Sequence, residues 1–89
     1  MEISQSQELL ARFGYYKGAI DGYWGQKSKS AADQVLSLYI ENISGKNFTY
    51  WGTDRRRIGA AQICLFHLGF TEVGAIDGLV GPSTRYALS

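Results

Sequence analysis

Apolar residues recur at helical spacing in two separate stretches of the chain. Ile3, Leu10 and Phe13 mark one face of the first, and Ile58, Leu65 and Leu68 mark the corresponding face of the second, the rhythm of an amphipathic helix. Gly14 and Gly69 follow directly, where a helix ends in the left-handed conformation that glycine adopts freely. Next comes a segment with three glycines in eight residues, Gly18 to Gly25, too glycine-rich for a helix interior. A further helix is expected from about Gln26, carrying Ala31, Ala32, Val35, Leu36 and Tyr39. In the second stretch Pro82 stands at the expected first helical position, where its missing N–H costs nothing, and that helix runs to Ser89. Between the two stretches, residues 42–53 are rich in Gly, Asn, Ser and Thr, a loop signature. They also hold Phe48, Tyr50 and Trp51, so this loop is expected to fold back on the domain.

The pattern is an internal repeat. Gly18-Ala19-Ile20-Asp21-Gly22-Tyr23-Trp24-Gly25 recurs as Gly74-Ala75-Ile76-Asp77-Gly78-Leu79-Val80-Gly81, with Ser28 matching Thr84, Lys29 matching Arg85 and Ala31 matching Ala87. Upstream, Gln7 matches Gln62 and Gly14-Tyr15 matches Gly69-Phe70, with Val73 the extra residue of the second copy. Two copies are too few for a solenoid. The expectation is an all-α fold, a small helical bundle of two pseudo-repeated helix–glycine-rich loop–helix units. The units span roughly 3–39 and 58–89 of a single 1–89 domain, joined by the 42–53 loop.

Within each repeat the Ile-Asp-Gly segment has a mechanical reading. The isoleucine points inward and pins the loop, the aspartate accepts backbone N–H groups, and the glycine takes the positive φ of the turn. Asp21, Gly22, Asp77 and Gly78 are therefore structural loop residues first, with direct ligand contact by the aspartates the lesser reading. Ser28 and Thr84 lie just inside the following helix, where their hydroxyls can serve the first turn or the loop.

These residues carry a resemblance. The spacing of Gln7, Leu10, Phe13, Gly14, Tyr15, Gly18, Ile20, Asp21, Gly22, Gly25, Ser28, Ala31 and Ala32 resembles the peptidoglycan-binding domain (PGBD-like) family of cell-wall hydrolases and phage endolysins. So does that of Gln62, Leu65, Leu68, Gly69, Phe70, Gly74, Ile76, Asp77, Gly78, Gly81, Pro82, Thr84, Ala87 and Leu88. Ser6 departs from the family's leucine, Trp24 and Val80 from its phenylalanine, and the closing Phe-Gln is absent from both copies. The resemblance implies a sheetless bundle with a shallow groove for bacterial peptidoglycan, either glycan strand or stem peptide. It further implies a fused catalytic domain as partner, binding being strengthened by effective concentration. The expected role is a non-catalytic cell-wall targeting module, as in a phage endolysin.

Composition bounds the rest. Eighty-nine residues make one small domain, burying only about 60–65% of the extended-chain surface. A net charge of +1 argues against nucleic acid as partner. No apolar run approaches the ~20 residues of a bilayer span. The polar start Met1-Glu2-Ile3-Ser4-Gln5 does not read as a signal peptide. Action at the cell wall or in the periplasm is then expected of a chain made in the cytoplasm and released phage-fashion, or of one that has lost its targeting segment. The single Cys64 excludes an intrachain disulfide and reads as a buried thiol.

Twelve aromatic residues exceed what so small a core can bury, leaving faces for a ligand. Tyr15 and Trp24 match apolar positions of the second copy and are assigned to the core. Tyr16 and Tyr23 have variable counterparts, and Arg12 and Lys17 flank the same loop. These four, Tyr16, Tyr23, Arg12 and Lys17, are the expected ligand-binding residues, aromatics for sugar faces and cations for carboxylates. Arg55-Arg56-Arg57 opposes the dipole of the helix it opens, which suits either an anionic partner or, more simply, a solvated charge run. His67 and Cys64 alone cannot complete a tetrahedral metal site, and one loop carboxylate falls short of a calcium site, so no metal or cofactor is expected.

The alternatives are a protein–protein docking or structural domain of a larger wall-associated protein, and a small muramidase. The latter needs a carboxylate pair across a cleft, for which Glu8, Glu41 and Glu72 are available but poorly placed. A pro-domain role with Cys64 as a zinc-blocking thiol is disfavoured because Cys64 falls inside a predicted helix.

Overall fold

The computed structural model describes residues 2–69 and 76–79. Among these residues three α-helices build the body: α1 (Ile3–Arg12), α2 (Gln26–Leu38) and α3 (Thr53–His67). Two short 3-10 turns, Ile40–Asn42 and Ser44–Lys46, lie between α2 and α3. Among the described residues there is no strand, only an isolated parallel bridge between Ile43 and Ile76. The protein is thus a small, mostly helical bundle. Pro82, Thr84 and the helix expected after Gly81 lie outside the described residues.

The helix ends follow local chemistry. The backbone N–H of Glu2 donates to Gln5 Oε1 at 2.9 Å, closing the first turn of α1. At its other end Gly14 takes φ +89°, and the Tyr15 N–H returns to the Leu10 carbonyl at 2.9 Å, tying off the last turn. Gly69 ends α3 with φ +102°.

The interior is organised around α3. It packs on both α1 and α2, which touch each other little. Every residue from Gly59 to Leu65 is buried, so this stretch is enclosed on all sides rather than amphipathic. Small residues make that possible. A Cβ at Gly59 would lie 2.6 Å from the Trp51 ring and 3.3 Å from Leu36, so only glycine lets Trp51 press onto the helix. Leu10, Val35, Leu36, Ala60, Ala61 and Ile63 are wholly buried around it. Cys64 joins them, and burial pushes its thiol pKa up to about 12.

The 42–53 segment does fold onto the body. Ile43 and Trp51 are buried, Phe48 is partly buried, and Tyr50 is exposed. The arginine run is not a solvated charge run, because each guanidinium engages a different part of the fold. Arg55 Nε donates to the Asp77 carbonyl at 2.8 Å, and its guanidinium carbon lies 4.7 Å from the Trp51 ring. Arg56 donates to the Trp51 and Thr49 carbonyls and pairs with Asp33 on α2 at 3.4 Å. Arg57, buried, donates to the buried Ser6 hydroxyl on α1 at 3.0 Å. The cost of cations near a helix N-terminus is met by acceptors inside the domain.

Candidate functional site: the glycine-rich loops and their recesses

The loop between α1 and α2 is held from inside by Gln7, fully buried on α1. Its Oε1 accepts the Gly22 N–H at 3.0 Å. Its Nε2 donates to the Tyr23 carbonyl at 2.8 Å and the Ser28 hydroxyl at 3.1 Å, with Asp21 Oδ1 at 3.3 Å and the Tyr16 hydroxyl at 3.4 Å nearby. An amide has two protons to give, so these acceptors share them. Asp21 turns its carboxylate onto the Tyr23 N–H at 3.0 Å. That bond first, and the Gln7 amide second, hold its carboxyl below the ordinary carboxylate range. Gly22 supplies φ +76°.

The same contacts recur around residues 77–79. Gln62 Oε1 accepts the Gly78 N–H at 2.9 Å, and its Nε2 donates to the Leu79 carbonyl at 2.8 Å. Asp77 Oδ1 accepts the Leu79 N–H at 2.9 Å, and Gly78 has φ +75°. Both aspartates and both glycines therefore hold the loop turns as their spacing suggests. The two buried glutamines that organise them belong to the repeat, but their residue type gave no sign of this role. Their recurrence ahead of each Ile-Asp-Gly was the available signal.

The loops differ in what they bury. Ile20, expected to point inward, is 50% exposed, whereas Ile76 is 6% exposed. Ile76 has the Ile43 backbone to lie against. In the first loop Tyr16 takes the inward place instead, correcting its expected exposure. It is 7% exposed, and its hydroxyl donates to the Ala19 carbonyl. An apolar ring with one polar tip can fill a core position when that tip finds an acceptor. Tyr15 and Trp24 are partly buried and pack against the core, as assigned.

A recess of about 310 Å³ opens beside this loop, lined by Tyr16, Gly18, Ala19, Asp21, Tyr23, Gly25, Gln26, Lys27 and Ser28. Tyr23 is 74% exposed at its edge. Lys27 and Gln26, from the first turn of α2, join it unforeseen. Arg12 and Lys17 are exposed but do not line it. Of the four expected binding residues, then, Tyr23 lies at the recess surface, Tyr16 forms its buried wall, and Arg12 and Lys17 stand away from it.

A second recess, of about 290 Å³, lies between α2 and the start of α3, lined by Trp24, Lys29, Ala32, Asp33, Trp51, Gly52, Thr53 and Arg56. Elsewhere, His67 stacks 4.5 Å from Tyr39 and 5.8 Å from Phe13. Glu8 is exposed on α1, and Glu41 is exposed and paired with Lys46 at 3.1 Å. Among the described residues no three His, Cys, Asp or Glu side chains come together as a metal site, and no helix is long and apolar enough to cross a membrane. Comparison with protein-family models, with curated proteins and with solved structures gives no match.

Proposed function

We propose that the chain is a non-catalytic peptidoglycan-binding module built from two pseudo-repeated units of the PGBD-like type, serving as the targeting domain of a cell-wall lytic enzyme such as a phage endolysin. The observation that carries the reading is the shared loop chemistry: a buried glutamine, an aspartate and a positive-φ glycine set the turn at 21–23 and again at 77–79. That chemistry coincides with the motif on which the resemblance rests. In the first loop it leaves Tyr23 beside an open recess that also presents the Asp21 carboxylate and Lys27. An exposed phenol ring suits the apolar face of a sugar, and a lysine beside a carboxylate suits the charged groups of a short peptide. The expected site of action is the cell wall or periplasm.

Co-sedimentation with purified sacculi tests this. Wild type should pellet with the polymer and Tyr23→Ala should remain largely in solution. Wild type staying in the supernatant overturns the function, and a Tyr23→Ala variant that pellets normally overturns the site. Protein–protein docking is the second reading, favoured by the exposed apolar Ile20 and Leu79 on the loop turns. Binding to sacculi stripped of protein separates the two.

A further inference from the structure

We infer that the Arg55 guanidinium is a carboxylate-binding site on the second unit, beside Tyr50 and the 77–79 turn and separate from the Tyr23 recess. The guanidinium is held firmly. Its Nε donates to the Asp77 carbonyl at 2.8 Å. Its carbon lies 4.7 Å from the centre of the Trp51 ring and 5.5 Å from that of the Tyr50 ring, within stacking range of both. The turn rests on the stem of the same side chain, since a Cβ at Gly78 would lie 2.5 Å from Arg55 Cγ. A side chain fixed at Nε, against two rings and along its stem has little freedom left to lose when a ligand arrives.

Only part of this group is used by the fold. Neither Nη atom has an acceptor among the described residues, and neither is sealed from solvent. Arg55 enters no ion pair there. Asp54 lies instead with Arg57 at 3.9 Å, and Asp77 turns its carboxylate to the Leu79 N–H at 2.9 Å. The two Nη amines are the open end of a planar fork that matches the two oxygens of a carboxylate. Tyr50, 66% exposed, and Leu79, 56% exposed on the bonded turn, add apolar surface, which suits a ligand with an apolar group next to its carboxylate. A single cation, with the Asp77 carboxylate on the adjoining turn, favours a monoanion over a doubly charged phosphate. Arg55 lies outside the residues that the two units share, so the site is no copy of the first. The source of the ligand rests on the wall-binding reading above: the carboxylate is one of a stem peptide, and the second unit binds alongside the first.

The experiment is a titration of the full chain with N-acetylalanine, with its C-terminal amide, and with methyl phosphate. The Arg55 Nε–H, the Tyr50 ring and the Leu79 amide are followed by magnetic resonance, the Leu79 amide serving in the variants. N-acetylalanine should shift all three saturably, with affinity on the order of millimolar for so small a ligand. The amide should shift none, and methyl phosphate should bind more weakly. Arg55→Lys keeps the charge but loses the fork and should weaken binding about tenfold. Tyr50→Ala, at an exposed position that leaves the Nε bond in place, should weaken it about two- to fivefold. Tyr23→Ala should bind N-acetylalanine as wild type does while failing to pellet with sacculi, so the two sites are read separately. Wild type that binds N-acetylalanine but stays in solution with sacculi supports the carboxylate site and overturns its wall source. Absence of any shift, an equal response to the amide, tighter binding of methyl phosphate, or unaltered affinity in both Arg55→Lys and Tyr50→Ala overturns the site.

Discussion

Arg57 on α3 donates from Nη1 to the Ser6 hydroxyl on α1 at 3.0 Å, with both side chains buried. A buried guanidinium needs an acceptor on the facing helix, and the Ser6 hydroxyl supplies it. Ser6→Ala should therefore destabilise the fold by about 1.5–3 kcal/mol, the range for hydrogen bonds to charged groups. Urea denaturation measures it, and a loss below about 0.5 kcal/mol, the range of ordinary surface substitutions, would show that the contact contributes little.

Gly22 and Gly78 share nearly the same positive φ, +76° and +75°, but not the same surroundings. A Cβ at Gly22 meets nothing within 4 Å, whereas at Gly78 it would lie 2.5 Å from the Arg55 backbone oxygen. Gly22→Ala should cost only the left-handed backbone strain of about 1–2 kcal/mol. Gly78→Ala should cost that plus about 1–3 kcal/mol of overpacking. Thermal unfolding of the two variants side by side checks the order, and equal losses would refute it.

Gln7 serves one turn with both ends of its amide. Gln7→Ala removes two good hydrogen bonds and opens a cavity, an expected loss of about 2–4 kcal/mol. The loop should loosen before the body does. Hydrogen exchange at the Gly22 and Tyr23 amides should accelerate more than exchange in α3, and uniform acceleration would count against a local role for this glutamine.

Asp21 titrates with a folded-state pKa lowered by the Tyr23 N–H and then by the Gln7 amide. A depressed carboxyl contributes stability above its unfolded pKa, near 3.9, and loses it as pH falls through the lower folded value. Below about pH 4 the wild type should lose melting temperature more steeply than Asp21→Asn does. Parallel acid limbs for the two proteins would exclude the linkage.

Cys64 is buried among apolar neighbours, its thiol pKa pushed up to about 12. At pH 8 it should resist thiol reagents in the native protein and react promptly once unfolded in urea. The linkage has the opposite sense from that of Asp21. A raised folded pKa means stability held below the unfolded value, near 8.5, and lost as pH rises from there toward 12. Rapid native-state labelling at pH 8 would contradict the burial.

Much of the scaffold was legible from residues alone. The stops at Gly14 and Gly69, the start of α2 at Gln26 and the turn roles of Asp21, Gly22, Asp77 and Gly78 each follow from local backbone chemistry. What escaped depends on distant partners. Tyr16 and Ile20 exchange their expected places because the Tyr16 hydroxyl finds the Ala19 carbonyl, and among the described residues no bridge forms at Ile20 like that between Ile43 and Ile76. The arginine run reads as solvated until Trp51, Asp33, Ser6 and Asp77, far away in sequence, arrive around it. The recess at Lys29 and Thr53 was unreadable because it lies between two elements, with no repeat or motif to announce it.

Because α3 is the wedge on which α1 and α2 both rest, neither earlier helix gains its main packing surface until that wedge exists. During synthesis the first forty residues must wait, their apolar stripes open to chaperones or to one another, until His67 has cleared the ribosomal tunnel. Dividing the chain between its two halves would leave each as a fluctuating peptide, and mixing the fragments should restore helical signal that neither has alone.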